Sequence, residues 1–124
     1  MKMTKEELAA KLEAHAKWLK TRYTDHVEGE RADLTDADLT DADLTCADLT
    51  CADLTDANLT RADLTDAILH CADLTRANLT RADLTCADIE HVWRASQLVW
   101  DAISATLSAR IALKKTRIDW QQHK

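Results

Sequence analysis

Residues 32–91 consist of twelve consecutive five-residue units, which begin with Ala32-Asp33-Leu34-Thr35-Asp36 and end with Ala87-Asp88-Ile89-Glu90-His91. The first position is Ala in all twelve units, and the third is Leu in eleven of them. The second position is Asp or Asn in eleven units, the fourth is Thr in ten, and the fifth varies. A helix would spread these Leu residues around its whole surface, and a strand would place them on alternating faces. The period therefore predicts a solenoid that turns once per unit and buries its apolar residues against neighbouring units.

The tandem Ala-(Asp/Asn)-Leu-Xaa-Xaa pattern resembles the pentapeptide repeat family over about half of the chain. The resemblance implies a mainly β fold, a right-handed quadrilateral β-helix with four units per coil. Twelve units would then form three coils, about 14 Å tall at the spacing of paired strands. The resemblance also implies that the first and third positions point inward. The third positions are the predicted core: Leu34, Leu39, Leu44, Leu49, Leu54, Leu59, Leu64, Leu69, Leu74, Leu79, Leu84 and Ile89.

The chain of 124 residues is predicted to be one domain with three segments, 1–31, 32–91 and 92–124. In the first segment, Thr4 and Glu7 have capping-box spacing and predict a helix from about residue 5 to residue 22. Its apolar stripe, which should cover the first coil, consists of Leu8, Leu12, Ala16, Leu19 and Tyr23. We expect His15 to be a surface or cap residue, and we expect Gly29 to let the chain turn into the coil.

In the third segment, residues 90 to about 115 read as a long helix with an apolar arc too wide for one end of a rod to bury. One side of this helix is predicted to close the last coil, and the other to form a homodimer. The predicted interface residues are Trp93, Leu98, Trp100, Ala102, Ala105 and Ala109. An alternative is that the segment breaks into two helices that pack on each other.

Charge is unevenly distributed along the chain. Residues 31–91 carry 4 basic and 14 acidic residues, net −10, whereas residues 92–124 carry 6 basic and 2 acidic residues, net +4. The simplest interpretation is a solvated surface that keeps the rod soluble. The family resemblance adds another, because some members mimic DNA, bind type II topoisomerases and confer quinolone resistance. The partner would then be a protein that normally binds DNA, although Arg61, Arg76 and Arg81 interrupt the acidic surface. We expect no direct binding to nucleic acid.

The repeat shows no catalytic set, because it contains no Ser, no glycine-rich loop and no His in an enclosed site. The sequence therefore favours a non-catalytic scaffold or interaction module without a cofactor. A weak metal site is the alternative at Cys51, Cys71 and His91, which stack twenty residues apart with His70 nearby. A disulfide between the two cysteines is conceivable in geometry. No export signal and no apolar run approaching 18 residues is present, so we expect a cytoplasmic protein that does not enter a membrane.

Overall fold

The structure, a computed structural model, describes residues 2–92. Within this range there is one helix, α1, which spans Lys5–Thr21 and is followed by the repeat. The predicted C-terminal helix and the predicted dimer-interface residues lie outside the described residues: Trp93, Leu98, Trp100, Ala102, Ala105 and Ala109. Within the described residues, no helix is long and apolar enough to cross a membrane.

Helix α1 begins at the predicted capping box. The Glu7 N–H donates to Thr4 Oγ1 at 3.1 Å, and the Thr4 N–H donates to Glu7 Oε2 at 3.2 Å. These two bonds satisfy amides that the first turn of a helix leaves without intrahelical partners. The predicted helix is therefore present with its predicted start.

The buried side of α1 differs from the predicted apolar stripe. Leu8 and His15 are buried, whereas Ala16 is exposed and Tyr23 is 87% exposed. Leu12 packs partly against the core. The stripe thus runs through positions 8, 12 and 15. Of the two predicted roles of His15, surface or cap residue, the surface role is wrong, because the side chain is buried and bonds Ala32 and Thr50 of the first turn. A polar imidazole is usually expected to be exposed to solvent. Burial of His15 is nevertheless stable, because both of its nitrogens are hydrogen-bonded.

The repeat forms a coil whose turns are joined by parallel bridges between residues twenty apart. Isolated bridges of this kind link Asp33 with Asp53, Asp53 with Asp73, and Ile68 with Asp88. Four units therefore complete one turn. Among residues 2–92 the pairings remain single bridges rather than extended strands, because the chain turns a corner within every unit.

Each corner is a four-residue turn from the third position of one unit to the first position of the next. The Ala N–H donates to the preceding Leu carbonyl, as from Ala57 to Leu54 at 3.0 Å. The fifth position, which is the third residue of the turn, has φ between 55° and 62° in all twelve units. A positive φ at this place is the requirement of a type II turn, and it usually selects Gly or Asn. Here Asp, Cys, Arg and His occupy it instead.

The second and fourth positions of a unit are linked by a short side-chain motif. In eleven units, Oδ1 of the second residue accepts from the backbone N–H two residues later, at 3.0–3.1 Å. In several units the Thr hydroxyl donates to the same oxygen, as from Thr65 to Asp63 at 2.6 Å. This Asx turn explains why only Asp or Asn, followed by Thr, recurs at these positions. Ile68 is the one second residue that cannot make it.

The core of the coil consists of the third-position residues, which are between 0 and 2% exposed. Most of the first-position Ala residues are also buried, whereas Ala42 and Ala47 in the first turn are only partly buried. At the far end, Val92 is 2% exposed. Glu90 and His91 continue the turn of the last unit, so the predicted helix does not begin at residue 90.

Candidate functional site

Because four units complete one turn, the coil has four sides, and each side is made of units twenty residues apart. We call the side built from units 42–46, 62–66 and 82–86 the acidic face. Its outward residues at the second and fifth positions are Asp43, Cys46, Asp63, Asp66, Asp83 and Cys86. These residues include four carboxylates and no cation. Two sides have neither Lys nor Arg in their own units, and of these the acidic face carries more carboxylates, four against three on the side built from units 47–51, 67–71 and 87–91.

Three of the four carboxylates of the acidic face are held in place by hydrogen bonds from the backbone. Asp43, Asp63 and Asp83 each accept from the N–H two residues later at 3.0 Å. Hydrogen bonds from Thr45 lower the pKa of Asp43 below its usual value. Burial and the nearby Asp63 carboxylate oppose this shift by smaller amounts, and Lys5 adds slightly to it. Hydrogen bonds from Thr65 lower the pKa of Asp63 in the same way. Both groups consequently stay ionised in neutral and mildly acidic water.

Two other sides of the coil pair part of their negative charge. On the side that starts at residue 37, Arg61 binds Asp41 with two hydrogen bonds of 2.8 and 3.0 Å. On the side that starts at residue 32, Arg76 binds Asp56 with bonds of 2.7 and 2.9 Å. These exposed pairs contribute little to stability, but they neutralise their surface locally. The Arg residues that interrupt the acidic sequence therefore lie outside the acidic face.

The fourth side carries the residues that depart most from the repeat. It is built from units 47–51, 67–71 and 87–91, and we call it the irregular side. Cys51, Cys71 and His91 occupy the fifth position of these three units, twenty residues apart. Arg22 donates to Cys51 Sγ at 3.4 Å, so this thiol lies against the end of α1. All four cysteines are free thiols, and the conceivable Cys51–Cys71 disulfide is absent.

Potential metal ligands on the irregular side come together at residues other than those of the predicted cysteine column. Among residues 2–92, one group of three ligand residues has its ligand atoms within 4.8 Å of one another: His70, Asp88 and Glu90. The sequence already places His70 next to the predicted column. Asp88 and Glu90 were missed, because the prediction compared only residues at the fifth position of each unit.

Helix α1 is joined to the first turn through His15. The Ala32 N–H donates to His15 Nδ1 at 2.9 Å, and His15 Nε2 donates to the Thr50 carbonyl at 3.0 Å. Because Nδ1 accepts, the imidazole is neutral and carries its proton on Nε2. Burial lowers its pKa, although the bond to the Thr50 carbonyl acts in the opposite direction. Trp18 stacks on the ring with centroids 5.5 Å apart.

The sole glycine of the sequence lies against the same helix. Gly29 has a φ of 74°, and a Cβ at this position would lie 2.1 Å from the Ala14 carbonyl oxygen. The following residue, Glu30, donates its N–H to that carbonyl at 3.2 Å. Gly29 is therefore required both for its backbone conformation and for its close approach to α1.

A model of the family described as pentapeptide repeats matches eight copies over residues 30–61 and 57–92. These ranges together cover 63 of the 124 residues. The chain belongs to the pentapeptide repeat family. Proteins of this family fold as right-handed quadrilateral β-helices, and they are generally non-enzymatic structural or interaction modules.

Solved pentapeptide repeat proteins include two that are similar to this chain. One, from the thylakoid lumen of Arabidopsis thaliana, is 40% identical with a TM-score of 0.49, over 50% of this chain and 43% of that one. The other is HetL of the cyanobacterium Nostoc sp. strain PCC 7120, which is involved in the regulation of heterocyst differentiation. HetL is 36% identical with a TM-score of 0.25, over 52% of this chain and 35% of its own. This chain thus matches less than half the length of either protein. A comparison with curated proteins found no match.

In this pentapeptide repeat protein, a groove of about 400 Å³ separates the start of α1 from the first turn. Leu8, Leu12 and Ala42 form its apolar floor, and Lys2 and Asp43 are among its charged borders. The groove mixes both signs of charge and has no cluster of nucleophile and base. It favours a packing surface over a catalytic pocket.

Proposed function

We propose that this protein is a non-catalytic interaction module whose acidic face binds a basic surface on a partner protein. The observation that carries the proposal is a row of carboxylates on one side of the coil whose own units contain no Lys or Arg. In this proposal the twelve units form a rod of three coils, and α1 caps its first coil. The rod has a fixed outline, so the spacing of its charges can be matched by a complementary surface.

The fixed carboxylates favour this function energetically. Asp43 and Asp63 already accept hydrogen bonds from the N–H groups of Thr45 and Thr65, so their side chains are held before a partner arrives. Because these side chains are already ordered, they lose less conformational entropy when a partner binds. Their lowered pKa values keep both charges available in neutral solution. Such a surface should contribute mainly to the rate and specificity of association.

DNA mimicry is a narrower version of the same proposal, with a type II topoisomerase as the partner. Stacked carboxylates at the spacing of successive turns give a regular line of negative charge, which resembles the backbone of a duplex. The acidic face supports this version because Arg61, Arg76 and Arg81 all lie on other sides. It rests on a comparison of charge patterns, and family membership does not assign it.

The proposal can be tested by replacing Asp43, Asp63 and Asp83 together with Asn. The repeat itself indicates that Asn preserves the fold, because Asn58 Oδ1 accepts from the Thr60 N–H at 3.1 Å and from its hydroxyl at 2.5 Å. A matched control replaces three Asp residues at the same position on another side: Asp33, Asp53 and Asp73. Both variants remove three negative charges from different faces, and the control also removes the exposed ion pair of Asp53 with Arg31, whose atoms are 3.8 Å apart.

The wild-type protein and both variants should be used as baits, and captured proteins should be quantified by mass spectrometry and then tested in purified form. We expect a partner with a basic surface to be retained by the control, and to bind the acidic-face variant at least about tenfold more weakly at low salt. Equal binding to all three baits, or equal loss from both variants, would contradict the proposal. A DNA gyrase supercoiling assay tests the narrower version: inhibition that disappears in the acidic-face variant supports it, and no inhibition in large molar excess excludes it.

A further inference from the structure

The irregular side contains the three clearest exceptions to the repeat. Thr occupies the fourth position in ten of twelve units, and the two exceptions are His70 and Glu90. They are twenty residues apart and therefore lie on the same side, in successive turns. Ile68, the one second-position residue that is neither Asp nor Asn, belongs to the same side. Exceptions that are scattered by chance would not be expected to meet at one place.

The exceptional residues form a group with the geometry of a small chelating site. One ligand atom of His70, one of Asp88 and one of Glu90 lie within 4.8 Å of one another. Asp88 and Glu90 come from one turn of the coil, and His70 comes from the preceding turn. The bridge between Ile68 and Asp88 holds the two turns in this alignment. The backbone therefore brings the three side chains together without the help of a loop.

Further contacts orient the acidic ligands and the imidazole. Asp88 Oδ1 accepts from the Glu90 N–H at 3.1 Å, which fixes the carboxylate through the same Asx turn as in other units. The His70 ring packs edge-on against the His91 ring, with centroids 5.2 Å apart. His70 and Glu90 are half-buried, whereas Asp88 is exposed. Water can therefore reach the group and complete the coordination of an ion.

The donor set indicates which ions would bind. One imidazole nitrogen with two carboxylates suits Zn²⁺ and similar divalent transition ions, whereas Mg²⁺ and Ca²⁺ prefer oxygen ligands alone. The imidazole distinguishes this group from the acidic clusters that are common on protein surfaces. We propose that His70, Asp88 and Glu90 bind a divalent transition ion of the Zn²⁺ type, which ties the last two turns of the coil together. This inference is independent of the proposed interaction through the acidic face.

The repeat supplies variants that should remove the site without harming the fold. His70→Thr and Glu90→Thr restore the residue found at the fourth position of the other ten units. Asp88→Asn keeps an oxygen that can accept the Glu90 N–H, as Asn58 and Asn78 do for the residues two positions after them. Asp83→Asn is the matched control, because it removes one carboxylate from the acidic face and should alter only general electrostatic attraction.

Binding of ZnCl₂ and of CoCl₂ to the full chain should be measured by titration calorimetry, with MgCl₂ as the comparison ion. We expect Zn²⁺ to bind with one site, Mg²⁺ to bind much more weakly, and His70→Thr to weaken Zn²⁺ binding at least about tenfold. Asp88→Asn and Glu90→Thr should each weaken it, and Asp83→Asn should leave it unchanged. Circular dichroism without metal should show that all four variants keep the wild-type fold.

The same titration distinguishes this site from the column of Cys51, Cys71 and His91. If the proposal is right, changing both cysteines to Ser leaves Zn²⁺ binding intact, and the bound Co²⁺ shows no thiolate charge-transfer absorption. Loss of binding in the double Cys→Ser variant, with full retention in His70→Thr, would overturn the proposal in favour of the cysteine column. No saturable binding of Zn²⁺ to the wild-type chain would overturn it outright.

Discussion

Replacement of His15 by Leu tests how α1 is fastened to the coil. His15 is 0% exposed, and it connects the Ala32 N–H with the Thr50 carbonyl. Leu has a similar volume, so the substitution removes both hydrogen bonds without leaving a large cavity. The two backbone groups would then lose their partner, while the rest of the interface would remain.

The expected loss follows from the burial of these two groups. The buried Ala32 N–H would be unsatisfied at a cost of about 1–3 kcal/mol, and the partly buried Thr50 carbonyl would cost about 1 kcal/mol or less. Loss of the stacking with Trp18 would add about 0.5–1.5 kcal/mol, and the more apolar Leu would offset about 1 kcal/mol. The free energy of unfolding should therefore fall by about 0.5–4.5 kcal/mol, with a middle value of about 2.5 kcal/mol.

Urea unfolding followed by circular dichroism measures this loss, with His26→Leu as the control, because His26 is exposed. Hydrogen exchange should show that protection is lost first at Ala32 and along α1. A decrease below about 0.5 kcal/mol for His15→Leu would refute the inferred role of the imidazole, since that value is within the range of ordinary surface substitutions.

His15 should also make the free energy of unfolding depend on pH. The pKa of His15 is lowered from 6.5 by burial, so the unfolded chain takes up a proton at a higher pH than the folded chain. The contribution of neutral His15 to the free energy of unfolding is fully present above pH 6.5. It decreases as the pH falls from 6.5 towards the lowered pKa of His15 in the folded protein. His15→Leu should lack this decrease. Asp43 and Asp63 affect stability in a separate, lower pH range. Because their pKa values are lowered in the folded protein, their contribution to the free energy of unfolding is lost only as the pH falls below about 3.8.

Three further predictions concern the glycine, the core and the assembly. Gly29→Ala should lower the free energy of unfolding by about 1–3 kcal/mol or more, because it combines a positive φ with a clash against the Ala14 carbonyl. Urea unfolding measures this loss, and an unchanged midpoint would contradict it. Leu54→Ala should cost about 2–5 kcal/mol, because Leu54 is 0% exposed and a cavity would remain; a loss under about 1 kcal/mol would contradict an inward Leu54. The homodimer stays a prediction from sequence, and light scattering that shows a monomer at tens of micromolar, a range in which weak dimers form, would exclude it.

The sequence could predict the coil because its information is local and repeated. A five-residue period with Leu at the third position requires one corner per unit, and the corner decides which residues are inside. The capping box of α1 is local as well, since Thr4 and Glu7 are three residues apart. The Asx turns between the second and fourth positions have an equally short spacing, and the Asp-Xaa-Thr pattern contains the signal that would have predicted them.

The features that the sequence could not predict depend on residues far apart in the chain. The partners of His15 are backbone groups 17 and 35 residues away, so nothing near His15 indicates that it is buried. The group of His70, Asp88 and Glu90 combines second and fourth positions from two turns. The positive φ of the fifth position was missed because Arg and Cys, unlike Gly, do not indicate a left-handed backbone conformation.

Residues twenty apart form columns, and these columns together form the continuous acidic face. Two native cysteines allow a direct test of this arrangement. Cys46 and Cys86 are exposed and lie on the acidic face, two turns apart. Spin labels can be attached to these two thiols after Cys51 and Cys71 are changed to Ser. Two turns at the spacing of paired strands separate the labelled backbones by about 10 Å, whereas forty residues of unstructured chain would separate them by about 35 Å or more. Electron paramagnetic resonance should show strong dipolar broadening, and a spectrum without broadening would contradict the columns and the face that they form.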